Sequence, residues 1–379
     1  MINAVFNRLP NRTFRPLPLV LTLVIGVSFA AAQPTQEQRI ELAATHMLRM
    51  QLDSGLFVYE HDFVSGADTA ADNIVRQAGA GFALGEYYRY SRDPRTGRAI
   101  RLALEGYGRK SVAWQGGMLL SANGQPNQAK AGATALAILT MLLASDKPES
   151  LRSNALLDNW LQGILGLQLP HGGFAAKPGM EVASPYSDGE IWLALASYAA
   201  QFGDTTGERV SAALRRADER FITHYGSQPE IGFFHWGMMA AALRYRTTRN
   251  PAFLDFIAEQ IRHYLEHMRP RVSSRSNSCY SVEGLLSGLE ALRLGGAERD
   301  LHDRIGKRAA REMKKNLRLQ ILPGQQRIRF GDDHYLKTPH LDRYAGAFLN
   351  GRYRPQIRID ATQHCLSAMI KSRSLLPSG

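Results

Sequence analysis

Apolar positions recur along this chain at spacings of three and four. Ile40, Leu42, Ala43, Met47, Leu48 and Leu52 form a first such series, which ends at Asp53-Ser54-Gly55. This is the period of an amphipathic helix. A short extended piece, Leu56-Phe57-Val58-Tyr59, and a polar loop lead to Asp72-Asn73. Asn73 there can cap a second helix running through Ile74, Ala78, Phe82 and Leu84. The same unit, one helix and then a loop into another, repeats down the chain. Residues 97–109 pair with 130–144, 151–168 with 187–202, 206–224 with 234–247, 252–270 with 280–294, and 299–319 with 360–374.

The pattern therefore predicts about twelve helices in six hairpins, with second helices starting near residues 73, 130, 187, 234, 280 and 360. The second helices are rich in Ala, Gly and Leu, as in Ala78-Gly79-Ala80-Gly81 and Met238-Met239-Ala240-Ala241-Ala242. Helices so poor in charge can be enclosed on most sides, whereas the first helices are amphipathic. Six enclosed helices within six outer ones make an all-α, (α/α)6 toroid. An open, curved solenoid is the competing arrangement.

One motif occurs twice. Gln51-Leu52-Asp53-Ser54-Gly55-Leu56-Phe57 and Gln168-Leu169-Pro170-His171-Gly172-Gly173-Phe174 share Gln-x-x-x-Gly-x-Phe at the end of an outer helix. The glycine permits a turn at positive φ, and the aromatic can pack beneath it. The motif resembles the Gln/aromatic turn of terpene-cyclase-like toroids. It is also similar to the hairpin turns of six-hairpin glycosidases and to the helical domain of glucuronyl C5-epimerases. The resemblance covers roughly residues 35–374 at the level of architecture and implies a carbohydrate-active site at one mouth of the ring. The Asp-rich prenyl-diphosphate motifs of terpene cyclases are absent, so a terpenoid or lipid-binding toroid fits less well.

The first 32 residues change the picture of where the protein works. Arg8, Arg12 and Arg15 precede an apolar run from Leu17 to Phe29 and a small-residue site, Ala30-Ala31-Ala32. This reads as a cleaved secretory signal; an N-terminal anchor is the alternative, for which the run is short. Residues 33–379 are then expected to form a single toroid domain, periplasmic or secreted, with no later membrane span. The net charge of +12 stays clearly basic once the three arginines of the leader are removed. For an exported protein this favours an anionic polysaccharide or oligosaccharide partner over nucleic acid. Much of the charge also lies on outer helices, at Arg215, Arg216, Arg308, Arg311, Lys314 and Lys315, where it serves solvation.

In a toroid the starts of the inner helices converge. The polar residues there are Asp72, Asn73 and Arg76, then Lys130, then Tyr186, Asp188 and Glu190, then His235 and Trp236, then Tyr280 and Glu283, and finally His364. Aromatic faces beside acids, amides and cations make up a sugar site. Asp188 and Glu190, two residues apart on a helix, point in different directions. A hydrolytic partner for Glu190 is therefore sought on another hairpin, at Glu283 or Asp72. Elimination or epimerisation beside a carboxylate would instead use Tyr186, Tyr280 or His235 to carry the proton. Arg76, Asn73 or Lys130 would then neutralise the substrate's carboxylate, with Trp236 and His364 completing the wall. Each of these residues also has a structural reading, as helix cap, rim packing or buried hydrogen-bonding group; Arg76 in an apolar helix needs an acid or a ligand.

Cofactor and metal motifs are not found: no His-Glu-x-x-His, paired-Cys, P-loop or Gly-x-Ser-x-Gly pattern occurs. Asp332, Asp333 and His334 form only a weak cation candidate. Cys279 and Cys365 fall at the starts of neighbouring inner helices. An exported compartment would allow them to pair, closing a loop of about 86 residues and contributing about 4–5 kcal/mol in the chain-entropy model. The insert at 320–358 is expected to form a lid or wall, with a small hairpin around Arg327-Ile328-Arg329-Phe330. The function read from these residues is an exported carbohydrate-active enzyme acting on a polysaccharide, with a uronate-containing polymer one candidate, by hydrolysis, elimination or C5-epimerisation. The alternative is a non-catalytic glycan-binding or exopolysaccharide-secretion accessory protein.

Overall fold

The structure is a computed structural model, describing residues 33–145, 148–296, 298–332, 334–337, 341–354 and 356–376. The leader assigned to residues 1–32 lies outside the described residues. From Thr35 onward the chain forms one compact unit. Its helices are α1 (Gln36–Arg49), α2 (Ile74–Ser91), α3 (Pro94–Arg109), α4 (Ala131–Ala144), α5 (Ala155–Leu165) and α6 (Pro185–Phe202). They continue with α7 (Glu208–Ser227), α8 (Ile231–Thr248), α9 (Pro251–His263), α10 (Cys279–Gly295), α11 (Arg299–Leu317) and α12 (Ile359–Leu375). The even-numbered helices pack each on the next, and α12 returns to α2, so the ring closes. This is the predicted (α/α)6 toroid and excludes the open solenoid. Among the described residues, no helix is long and apolar enough to cross a membrane.

Composition explains which layer each helix occupies. Every residue of α4 from Ala131 to Leu142 is buried, and α2, α8 and α10 are enclosed almost as fully. Their small side chains let six helices crowd one centre. There Phe82 and Trp236 meet edge to face, 5.6 Å apart, and fill the middle of the ring. The outer helices bury one stripe only: in α3 this is Thr96, Ala99, Ile100, Ala103 and Tyr107.

The Gln-x-x-x-Gly-x-Phe turn is a repeated joint. Gln51 Nε2 donates to Gly55 O and to Ala99 O on the next outer helix, at 3.2 and 2.8 Å. Gln168 does the same to Gly172 O and Ala213 O, at 3.1 and 2.9 Å. A third copy exists. Gln320 donates to Gly346 O and Arg39 O, at 3.4 and 2.9 Å, and pairs in a bridge with Phe348. Gly55 and Gly346 both have positive φ, and a β-carbon on either would strike a carbonyl of the adjoining helix, Leu102 O or Leu42 O.

A second repeated bond joins each of these turns, and the β-hairpin ending at Leu120, to an inner helix. The fourth helical residue accepts from the backbone N–H at the end of the preceding connection. Phe57 N donates to Gln77 (2.7 Å), Leu120 N to Thr134 (2.9 Å), Phe174 N to Asp188 (3.2 Å) and Phe348 N to Thr362 (3.0 Å). In α8 and α10 the same position holds Phe234 and Val282, which offer no side-chain acceptor.

Small sheets decorate the connections. β1 (Glu60–Asp62) pairs antiparallel with β2 (Ala67–Asp68), and further on with β7 (Gln356–Arg358). β3 (Ser111–Trp114) and β4 (Gly117–Leu120) form a hairpin. β5 (Ile328–Phe330) and β6 (His334–Leu336) form the hairpin foreseen in the long insert. Cys279 and Cys365 are joined by a disulfide, with Cα atoms 4.8 Å apart, tying α10 to α12 at the mouth of the ring.

Candidate active site

Two adjoining cavities open where the inner helices begin. The larger, about 460 Å³, is lined by Asn73, Arg76, Lys130, Tyr186, Ser187 and Glu190, with Lys177 and Met180 from the loop before α6. The smaller, about 230 Å³, is lined by Arg76, Tyr186, His235, Asn277, Tyr280 and Asn350, with Arg358, Asp360 and His364. Arg76 and Tyr186 belong to both, so the two form one groove.

Local sequence makes room for each group. Glycine at 132 on α4 leaves space for the Glu190 carboxyl, which a β-carbon would strike. Glycine at 232 lets the half-exposed Tyr186 ring lie against α8, 3.0 Å from where a β-carbon would sit. Asn73 is the N-cap of α2, accepting from Val75 N and Arg76 N at 3.1 and 3.3 Å, which fixes where Arg76 emerges.

The smaller cavity holds two histidines. His235 and His364 have ring centroids 5.3 Å apart and nearly perpendicular planes. Neither ring nitrogen of His235 has a hydrogen-bond partner. Burial, reinforced by His364 and Arg76, holds its pKa well below the usual value, so the ring is neutral. His364 Nδ1 lies 2.8 Å from Glu283 Oε1, which turns Nε2 toward the cavity. Glu283 is fully buried behind His364. Burial raises its pKa while the His364 contact lowers it, and Oε2 has no partner. Tyr280 stands 5.7 Å from His235 and accepts from Arg269 at 3.3 Å. Arg76 Nε approaches Asp360 at 3.4 Å, while Arg358 grips Asp360 from the other side at 3.0 Å.

Glu190 is the chief feature of the larger cavity. Burial pushes its pKa up to about 8, with Arg76 pulling the other way. No hydrogen bond from a described residue reaches its carboxyl. A proton-bearing carboxyl facing a cavity is suited to donate a proton.

Several sequence-derived assignments need correction. Asp188 lines neither cavity. Its two oxygens accept from Phe174 N at 3.2 Å and Tyr225 Oη at 2.9 Å, so it holds the turn before α6. Burial raises it to about 7, but its position matches Gln77, Thr134 and Thr362. Asp72 also lies outside the groove and is occupied by Gln77 Nε2 and Asn73 N, both at 2.7 Å, so it is no partner for Glu190. Trp236 lies beneath the cavity, 4.5 Å from His235, and supports the ring instead of facing a ligand. Glu283 lines neither cavity and instead contacts His364 from behind. Of the cation candidate, Asp332 is paired with Arg275 at 2.9 Å; Asp333 lies outside the described residues.

Asn277, Asn350 and Arg358 escaped sequence reasoning. Asn350 Nδ2 is buried without a partner at the cavity wall. The signal was present in outline, because Asn350 and Arg358 belong to the insert expected to form a wall.

No protein-family model matches this chain, and no curated protein matches it by sequence. Solved structures do match by shape. A family-76 α-1,6-mannanase of Salegentibacter sp. HEL1_6 aligns over 90% of this chain and 99% of its own, with TM-score 0.64 and 10% identity. A D-mannose isomerase aligns over 89% and 97%, with TM-score 0.60 and 11% identity. A sugar epimerase from a ruminal bacterium aligns over 89% and 98%, with TM-score 0.57 and 12% identity. At such identities the likeness defines the fold. The chain shares the six-hairpin α/α-toroid fold of these proteins.

Proposed function

We propose that this protein is a carbohydrate-active enzyme that moves a proton at a sugar carbon, as an isomerase or epimerase does. The carrying observation is the pair of histidines facing one cavity, one neutral with both nitrogens unspent, the other backed by a carboxyl. In this reading His235 takes the proton from a carbon beside a carbonyl or carboxylate. His364 returns a proton to the same or the adjacent carbon, and Glu283 stabilises His364 while it is charged. Arg76 stabilises the oxygen that becomes negative in between. The toroid fold shared with a mannose isomerase and a sugar epimerase supports this reading.

The finer substrate reading is an anionic sugar, such as a uronate. It rests on Arg76, Lys130 and Asn73 in the larger cavity and Arg358 beside the smaller one. We also read the protein as exported, from the leader-like first 32 residues and from the Cys279–Cys365 disulfide, which persists in an oxidising compartment.

Hydrolysis is the second reading, and Glu190 favours it: a buried, proton-holding carboxyl in the larger cavity is a general acid in waiting. Its counterpart in the groove would be Asp360. Two adjacent aspartates are replaced in the inactive variant of the mannanase. Here the one adjacent pair in the sequence is Asp332 and Asp333, and Asp332 is not among the residues lining the groove. This counts against the mannanase chemistry.

The test is incubation with neutral and acidic mono- and oligosaccharides in D2O. Deuterium at a carbon without new reducing ends supports proton transfer. New reducing ends without carbon-bound deuterium overturn it in favour of hydrolysis, and 232-nm absorbance marks elimination. Silence in all three assays leaves the glycan-binding accessory role.

A further inference from the structure

We propose that the groove continues past the reacting centre to a distal sugar platform at Trp114, so that the ligand is an oligosaccharide and not a single sugar. This rests on the carbohydrate reading above and names its substrate class. The argument starts from the β3–β4 hairpin, whose base is anchored in the core by Leu119 and Leu120 while its tip projects beyond the ring. Its two-residue turn places Gln115 and Gly116 at positive φ, the tight hairpin geometry. Trp114 pairs across the hairpin with Gly117, so no opposing side chain covers the indole.

The mount is rigid. Gly117 lies against Gly163 on α5 so closely that a β-carbon there would strike the Gly163 backbone. The indole N–H is buried, which leaves the ring face as what Trp114 offers. Trp114 is half-buried, whereas Trp160, Trp192 and Trp236 are fully enclosed. Two surface cavities, of about 460 and 650 Å³, meet at Trp114 and Pro126.

Continuity with the groove comes from the loop before α6. Lys177 and Met180 line the larger cavity of the site, while the intervening Pro178 and Gly179 line the cavity at Trp114. Tyr186 and Met180 are 49% and 36% exposed, high for such side chains. Tyr186, Met180, Pro178 and Trp114 thus set successive apolar faces along one path from Arg76 outward. Flat apolar faces beside polar groups suit the C–H faces of pyranose rings. Trp114 packs one side of its indole against the core, and its half-buried remainder borders both surface cavities.

The experiment titrates the intact protein by calorimetry with two series, mannose to α-1,6-mannotetraose and galacturonic acid to its tetramer. Iodide quenching of fluorescence is followed in parallel, since Trp114 is the accessible tryptophan. The tetramer of at least one series should bind about tenfold or more tighter than its monomer and shield Trp114 from iodide. Trp114→Ala should weaken the tetramer about three- to tenfold and leave the monomer unchanged. Trp114→Phe should keep most of the affinity. Trp114→Leu, which retains the packing, should lose it as Trp114→Ala does, so a folding defect cannot mimic the result. Equal affinity for monomer and tetramer, or tetramer binding untouched in both Trp114→Ala and Trp114→Leu, overturns the proposal alone. If neither series binds the wild type, the carbohydrate reading is overturned and this proposal with it. Binding without turnover removes only the catalytic reading.

Discussion

The six inner helices end in a cavity at both mouths of the ring, and the two cavities differ in what their polar groups are doing. At the C-terminal mouth a pocket of about 300 Å³ is walled by Phe82, Leu139, Leu142, Leu193, Met239 and Leu243. Its charges satisfy one another. Lys371 and Ser367 both bond Glu86, Arg246 faces Glu290 at 3.5 Å, and Arg89 donates to Leu142 O at 3.2 Å. At the N-terminal mouth His235, Asn350 Nδ2, Glu283 Oε2 and the Glu190 carboxyl have no such partners. Leaving a buried polar group unpaired costs about 1–3 kcal/mol. Among the residues lining the two cavities, that cost falls at the N-terminal mouth. Unspent hydrogen-bonding capacity, and not apolar enclosure, separates the N-terminal mouth from the C-terminal one.

The sharpest way to break this comparison is His235→Asn. Loss of the neutral base should lower proton exchange by about 10²–10⁴-fold, since one general base contributes that much. Thermal melting should barely move, because His235 makes no hydrogen bond to lose. Deuterium exchange at wild-type rate would mean that the two histidines are only packing.

Glu190→Gln gives the next largest effect, and its sign follows from the direction of the shift. The folded protein holds the Glu190 proton to about pH 8, against an ordinary value of 4.5. A raised folded pKa gives stability that is fully present below 4.5 and is lost as pH rises through 8. Glutamine cannot ionise. The variant should therefore match the wild type near pH 4 and exceed it by up to about 4 kcal/mol near pH 9, in urea melts. If exchange survives the change while any hydrolysis vanishes, the two chemistries are separated at one residue.

At the opposite mouth Glu86→Ala should do the reverse. It strands Lys371, whose side chain is 19% exposed, and should cost about 2–3 kcal/mol of stability. Proton exchange should persist at temperatures where the variant stays folded. Loss of exchange without loss of stability would show that the two ends are not independent.

Periodicity located the inner helices to within a few residues, because small apolar side chains on all faces leave no other layer for them. The groove's cations, Arg76 and Lys130, were legible for a similar reason, being charges at the head of enclosed helices. Asp188 was not, because a carboxylate at a helix start looks the same whether it faces substrate or a neighbouring N–H. Its role emerges only beside Gln77, Thr134 and Thr362, four side chains with nothing in common but an acceptor oxygen. Asn277, Asn350 and Arg358 reach the groove through loop pairing, such as the bridge of Ser276 to Gly351, which no local pattern encodes.

The third Gln–Gly–Phe joint was hidden because the insert separates Gln320 from Gly346, and it supplies the smallest and most selective test. Gln320→Ala removes bonds to Arg39 O and Gly346 O and should cost about 1–3 kcal/mol. Gln51→Ala and Gln168→Ala remove equivalent bonds and should cost similar amounts. The three differ in what lies downstream. Gly346 and Phe348 lead directly to Asn350, whose carbonyl accepts from Asn277 N at 2.9 Å and whose side chain lines the histidine cavity. Gln320→Ala should therefore speed amide hydrogen exchange at Asn277 and Leu349 and weaken ligand binding. Gln51→Ala should lower stability and leave both unchanged. Equal effects on binding from the two variants would mean that the insert is carried by the ring as a whole and not hinged at this joint.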